Sequence, residues 1–555
     1  MDSSSVSNIA AYLPRMAESQ PETTAVHFPT GRDREDQTTY RSYSYRELDR
    51  HSDRIAAGLA AYGIGRGVRT VLMVKPSLDF FALTFALFKV GAVPVLIDPG
   101  MGIRNLKSCL EEAEPEAFIG IPAAHLARLL FGWGRKTLQR RVTVGRRLFW
   151  GGTTLRRLIA RTPESRGFRV AATRRDETAA ILFTSGSTGP PKGAVYTHGN
   201  FLAQVRALQE IYTITPGEID LPTFPLFALF APALGMTSVI PEMDFTRPGA
   251  VDPVKIVSAI RRFNATTMFG SPALIRRVGD YGAEHKIKLP SLKRAISAGA
   301  PVPAPVLERF GGMLDGGCEV FTPYGATESL PVCSIGSREI LAETRHATDH
   351  GKGVCVGLPV PGIRLEIIRI SDAPVPSWEE SLRIPDGETG EIIVQGEQVT
   401  HSYFNRPEAT TLAKIADPET GGFFHRMGDL GYRDSSGRIW FCGRKAHRVE
   451  TERRRFFTIP CEAVFNTHPQ VFRTALVGVT VSGNIQPLIC VELEPGAPSA
   501  AAEAILAELG EIGREFEHTR DISLFLIHPG FPVDIRHNAK IFREKLAVWA
   551  REQLS

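Results

Sequence analysis

Hydrophobic spacing changes period along the chain. Ser44-Tyr-Arg-Glu47 has the form of a capping box, and Leu48, Ile55, Leu59 and Tyr62 recur behind it at helical spacing up to Gly63, which predicts a helix over about 44–62. A β-rich run at 70–74, an apolar helical run at 78–90 and another strand at 93–97 follow. Strand, helix and strand at that spacing form a βαβ unit and imply parallel sheet. The rhythm returns at 266–269, 272–277 and 294–297. From Gly387 to Trp440 short strands alternate with polar turns, as in 390–396 and 434–440, and read as antiparallel sheet. Short strands and helices (500–516, 541–553) then make a small α+β domain. The fold class is α/β, with a large N-terminal domain over 1–442 and a small C-terminal domain over 443–555.

Composition narrows the class. At 555 residues the chain is too long for one simple core, and 43% hydrophobic with 23% charged residues is ordinary for a globular protein. Seven cysteines are scattered without a C-x-x-C pair, which speaks for a reducing compartment and against a zinc site. No basic region followed by an apolar core opens the chain, so no secretory signal is visible and a cytoplasmic location is expected. Leu221 to Pro241 carries no charge, yet Pro222, Pro225 and Pro232 would break a helix; it reads as protein interior, the wall of an apolar pocket, rather than a membrane span.

Charge is uneven. Residues 128–175 hold fourteen Lys and Arg against one acid, Glu164, in a chain of net charge +5. Leucines, Phe131, Trp133, Phe149 and Trp150 are interleaved among them. Read as a basic insertion, the segment suits an amphipathic element on an anionic membrane surface, at the inner face, or against an acidic partner, and equally a solvated surface. No other feature points to nucleic acid.

The segment Thr184-Ser-Gly-Ser-Thr-Gly-Pro-Pro-Lys-Gly193 concentrates glycines, hydroxyls and a lysine between two apolar strands, 179–183 and 193–198. Backbone N–H groups, hydroxyls and an ammonium in one loop suit a phosphate. The P-loop spacing does not fit, because two prolines separate Gly189 from Lys192 and Gly193 stands at the Ser/Thr position.

The loop resembles that of the adenylate-forming superfamily, which includes acyl-CoA synthetases, luciferases and peptide-synthetase adenylation domains. Further matches follow in the superfamily's order: Ser297-Ala-Gly-Ala-Pro301, Tyr324-Gly-Ala-Thr-Glu328, Arg426-Met-Gly-Asp429-Leu-Gly431, Gly443-Arg444 and Asn538-Ala-Lys540. The resemblance implies ATP and Mg2+ as cofactors, a large adenylation domain and a mobile C-terminal domain that delivers a catalytic lysine, Lys540. It implies a phosphate site at Thr184, Ser185, Gly186, Ser187, Thr188, Gly189 and Lys192, with Thr184 and Glu328 also taking part in the chemistry. Gly299, Ala300 and Pro301 would flank adenine and Tyr324 would stack on it. Beside Gly325, Thr327 would bond a phosphate oxygen and Glu328 would hold magnesium. Asp429 would accept from both ribose hydroxyls, and Arg444 would bind ribose or phosphate.

Departures from the CoA-using members narrow the reaction. Their P-L-F-H reads Pro225-Leu-Phe-Ala228 here, the hinge aspartate is replaced by Ala446, and Arg453, Arg454 and Arg455 fill a glycine region that lines the pantetheine tunnel. The runs 444–451, 459–462 and 534–540 look like the β-lactone synthetases of long-chain olefin biosynthesis. That likeness implies activation of a long-chain β-hydroxy acid as acyl-AMP, then attack of its own β-hydroxyl to close a β-lactone, beside other enzymes of the olefin pathway. A long-chain acyl-CoA synthetase or fatty acyl-AMP ligase is the alternative, and a nucleotide-binding scaffold without turnover a third reading. His198, His447 and His537 are candidate bases, each more readily structural.

Overall fold

In the computed structural model, which describes residues 7–98, 101–162, 167–183, 190–496, 502–533 and 541–554, the capping box at Ser44 is formed. The Ser44 hydroxyl accepts from the Glu47 amide and the Glu47 carboxylate accepts from the Ser44 amide, satisfying two N–H groups that the helix cannot. The helix Tyr45–Ala61 buries Leu48, Ile55 and Leu59. The apolar helix Leu78–Lys89 packs on it, and the buried Lys89 ammonium is held by Asp49 at 2.6 Å and Asp53 at 2.5 Å. Paired this way, a charge can be tolerated in the interior.

Two seven-stranded sheets flank these helices. In the first, Thr153–Thr154, Arg140–Thr143, Ala117–Gly120, Arg69–Met73, Val93–Leu96 and Thr178–Phe183 run parallel, and Gly193–Thr197 closes the edge antiparallel. The second runs Glu319–Phe321, Arg294–Ser297, Thr267–Gly270, Ile219–Pro222, Thr237–Val239, Thr24–Arg32 and Thr38–Ser44, with only the last pair antiparallel. The expected βαβ units are present, and Leu221–Pro241 is interior: it contributes to two strands of this sheet and buries Leu221, Ala228, Ala231 and Leu234. Among the described residues no helix is long and apolar enough to cross a membrane.

Residues 128–175 differ from the expectation of an insertion. Arg140–Thr143 and Thr153–Thr154 continue the first sheet, and helix Leu155–Arg161 buries Leu155 and Leu158 against the Tyr45–Ala61 helix near Gly58. The strands are four and two residues long, too short to impose a period of two on so arginine-rich a sequence.

The antiparallel part is an eight-stranded sheet over Tyr324–Arg444. The sequence boundary at residue 443 falls inside its strand Ile439–Arg444, where Gly443 and Arg444 pair with Leu430 and Asp429. Beyond it a separate sheet joins Val471–Val481, Asn484–Leu493 and Leu524–Ile527, with helices Thr458–Phe465, Ala502–Arg514 and Arg543–Leu554.

Candidate nucleotide site

The parallel strands converge on one edge. The loops after Pro222, Gly270, Ser297 and Phe321 all leave the carboxyl ends of neighbouring strands, where open α/β sheets bind ligands. Gly299, Ala300 and Pro301 lie in the loop after Ser297, exposed or half-buried, beside the strand that leads to Tyr324. The expected hairpin is also present: Phe183 pairs with Gly193, so the segment between them leaves and re-enters the sheet at one point. Thr184, Ser185, Gly186, Ser187, Thr188 and Gly189 lie outside the described residues, as do Lys540 and His537.

Tyr324 opens a short strand paired with Ser329–Ser334. A Cβ at Gly325 would stand 2.7 Å from the Ser329 carbonyl oxygen, so the turn Thr327-Glu328 can close this tightly only behind a glycine. The Tyr324 hydroxyl donates to Asp429 Oδ2 at 2.6 Å. Asp429 is almost fully buried, and Arg444 Nη1 lies 2.9 Å from its other oxygen. Burial and the Asp429 carboxylate push the Tyr324 phenol well above its usual value, while that carboxylate raises the Arg444 guanidinium. A carboxylate buried between two such donors is one that the interior can tolerate as a charge.

Asp429 is aimed by its own strand. Gly428 has φ +67°, a left-handed conformation that lets the long strand Gly422–Arg433 turn just before the aspartate. Two residues earlier, buried Arg426 meets Glu391 through Nε at 3.0 Å and Nη2 at 2.7 Å. Arg426 of the signature is therefore a structural anchor. Glu391 also receives Lys445 Nζ at 3.0 Å, tying the first residue after the strand Ile439–Arg444 to the same carboxylate.

Glu328 sits across from this pair. Its Oε1 accepts from the Tyr403 hydroxyl at 2.7 Å. Its carbonyl oxygen accepts from the Thr400 amide at 2.8 Å, which fixes the chain at 400 against the Tyr324–Glu328 turn. Tyr403 in turn bridges Ala194 on the strand that follows the 184–192 loop, where the Val195 amide donates to the Ser402 carbonyl and the Phe404 amide to the Gly193 carbonyl. Lys192 Nζ stands 5.1 Å from the Tyr403 ring centroid. The Tyr196 hydroxyl donates to the Thr327 carbonyl. The structure thus brings together Lys192, Tyr324, Thr327, Glu328, Asp429 and Arg444, with Tyr403 among them; the Arg444 guanidinium is raised first by Asp429, and then by Tyr324, Glu328 and Tyr403.

Tyr403 and Lys414 are additions that sequence reasoning misses. Lys414 donates to the Thr400 carbonyl, and burial pulls its ammonium down to about 7 against the opposing pull of Glu328. Neither residue sits in a signature; the only signal is aromatic and basic character in a strand-rich stretch, which is too common to act on. Two candidate bases have partners within the fold. His198 is buried, with Nδ1 accepting from the Ile9 amide at 3.3 Å, and burial lowers it to about 4. His447 faces Glu544 at 3.4 Å in the C-terminal part and is lowered to about 4, first by burial.

An apolar cluster lies beside the site. Phe227 meets Phe269 at 4.4 Å between centroids and Phe224 at 5.1 Å, and Phe230 meets Phe201 at 6.1 Å. Ala228 is buried within the short 3-10 helix Phe227–Phe230. In the C-terminal part, Glu462 holds Arg543 through bonds of 2.8 and 2.7 Å, and Val533 bridges Ile541. Arg454 is held by Asp521 at 3.0 Å and Arg455 by Glu450 at 2.8 Å, while Arg453 is exposed.

This arrangement has known counterparts. The AMP-binding enzyme family matches residues 13–404, most of the chain. The chain belongs to that family. It is 53% identical over 550 residues to an olefin beta-lactone synthetase of Xanthomonas campestris pv. campestris, covering 98% of each chain. It is 52% identical over 554 residues to an olefin beta-lactone synthetase of Stenotrophomonas maltophilia, covering 99% of this chain and 98% of the other. Among solved structures, the amide bond synthetase of Marinactinospora thermotolerans superposes with a TM-score of 0.79 at 22% identity, over 98% and 99% of the two chains. ATP-bound MatB from Rhodopseudomonas palustris superposes at 0.78 and 21%, over 99% and 100%. These two likenesses concern the fold, and the large and small parts described above are its parts. As a member of this family, the chain is an adenylate-forming ligase that activates an acid with ATP.

Proposed function

We propose that this enzyme converts a long-chain β-hydroxy acid into a β-lactone. The carboxylate oxygen attacks the α-phosphorus of ATP and pyrophosphate leaves. The β-hydroxyl oxygen then attacks the acyl carbon, its proton departs, and the bond from that carbon to AMP breaks. Intramolecular attack needs no second substrate channel, which agrees with Ala228, Ala446 and Arg453–Arg455 standing where CoA-using members carry other residues. The carrying observation is the identity of 52–53% over nearly the whole chain to two olefin beta-lactone synthetases.

The proposed roles rest on the signatures, and for the described residues their contacts support them. Asp429, held between Tyr324 and Arg444, accepts the ribose hydroxyls, and the Tyr324 ring and the Gly299-Ala300-Pro301 loop flank adenine. Thr184 to Gly189 and Lys192 bind phosphates, with Thr327 at a phosphate oxygen. Among the described residues no cluster of three His, Cys, Asp or Glu is placed to hold a metal. Magnesium would rest on Glu328 and on phosphate oxygens, which suits an ion that keeps water and few protein ligands, and it would neutralise phosphate charge. Lys540, three residues before the Arg543 that Glu462 holds, would bridge the carboxylate and the α-phosphate. The apolar cluster around Phe227 receives the alkyl chain. Other enzymes of olefin assembly would supply the hydroxy acid and consume the lactone.

Mass spectrometry after incubation with ATP, magnesium and a long-chain β-hydroxy acid tests the proposal. A product one water lighter than the substrate is expected. An acyl-CoA formed only when CoA is added would overturn it.

A further inference from the structure

Between Glu116 and Glu164 the chain has no acidic residue, and ten Lys and Arg lie from Arg128 to Arg161. Among the described residues none of these ten is paired with a carboxylate, whereas Arg66, Arg174 and Arg175 each are. The cations are accompanied by exposed apolar side chains. Helix Pro122–Phe131 buries His125 and Arg128 but turns Leu126, Leu129 and Leu130 outward, and Leu130 is 71% exposed. A surface helix would carry polar residues there.

A second element adds to the same edge. Trp150 stacks on His125 of that helix, ring centroids 5.4 Å apart and planes within 7°. Its indole N–H donates to Thr143 Oγ1 at 2.9 Å. The preceding residues Arg146, Arg147, Leu148 and Phe149 are therefore held beside the helix, all four exposed, Phe149 at 77%. Arg135 and Lys136, also exposed, follow the helix.

We propose that this edge docks on an anionic phospholipid surface, with Leu129, Leu130 and Phe149 entering the headgroup boundary and Arg135, Lys136, Arg146 and Arg147 meeting lipid phosphates. An acidic protein would satisfy the cations but has no use for the protruding apolar tips. An apolar partner would strand unpaired guanidinium groups in a dry interface. A bilayer surface accommodates both, because apolar insertion and attraction to anionic headgroups act at one depth.

Sedimentation of the full chain with vesicles tests this, using phosphatidylglycerol mixed with phosphatidylcholine and phosphatidylcholine alone. Binding to the anionic vesicles, weakened by salt, is expected. It should fall at least about tenfold in L130S/F149S and likewise in R135Q/K136Q/R146Q/R147Q, with activity on dispersed substrate and the melting temperature unchanged. Wild-type protein that stays in the supernatant with both vesicles overturns the assignment. So does L130S/F149S bound as tightly as wild type, or self-association of the wild type that the same substitutions abolish, since the edge would then belong to a second copy.

Discussion

The Tyr324 hydroxyl and the Asp429 carboxylate meet at 2.6 Å, a bond between residues 105 positions apart that joins two strands of the antiparallel sheet at the rim of the parallel one. Arg444 holds the other oxygen at 2.9 Å. Asp429→Asn keeps the shape but removes the charge, leaving Arg444 without its counter-ion. Calorimetry should show ATP affinity falling at least about tenfold, as for loss of a charged hydrogen-bond partner. Tyr324→Phe keeps the ring and should cost less. Equal affinity for all three proteins would remove Asp429 from the nucleotide site.

Lys540→Ala should lower pyrophosphate release by about a hundredfold or more while ATP still binds, because one preorganised charge at the transition state is lost. Wild-type release would place the catalytic cation elsewhere.

Glu328→Gln should raise the magnesium concentration needed for half-maximal rate, and Tyr403→Phe should do so to a smaller degree, since its hydroxyl only steadies Glu328 Oε1. Titration of the rate with magnesium at saturating ATP checks both. An unchanged midpoint in Glu328→Gln would remove the carboxylate from the metal.

Stability should fall as pH drops from about 6.5 to 4. Buried His198 is lowered to about 4 from 6.5, so over that window the unfolded chain binds the proton and the folded chain does not. The contribution at full protonation is about 3 kcal/mol. His198→Asn, which keeps an acceptor for the Ile9 amide, should flatten that part of the denaturation profile. An identical slope would mean that other groups govern the acid limb.

AMP should form from a β-hydroxy acid at the same rate with or without CoA, and a fatty acid lacking the hydroxyl should stall as the adenylate. Coupled AMP detection separates the cases; acceleration by CoA would favour the acyl-CoA alternative.

Local chemistry makes much of this legible in sequence. The Ser44 capping box, the βαβ spacing at 70–97 and the hairpin around the 184–192 loop need only near neighbours, and each forms as its residues dictate. Asp429, Arg444, Tyr324 and Glu328 stand in signatures, and the fold brings them together. What stays hidden depends on distant pairing. Tyr403 reaches Glu328 only because its segment lies on Ala194, and Glu391 matters only because Arg426 and Lys445 arrive from elsewhere. The strands at 140–143 and 153–154 are concealed because they are short and lie in an arginine-rich stretch that masks any alternation.

Glu391 has one more consequence. It is shared by two cations, Arg426 on the strand that aims Asp429 and Lys445 just beyond Arg444. If the C-terminal part turns about this point, Lys445 can depart without stranding a negative charge in the interior, because Arg426 stays behind as its counter-ion. The carboxylate would then work as a reusable latch, released and re-engaged while the strand that carries Asp429 keeps its place.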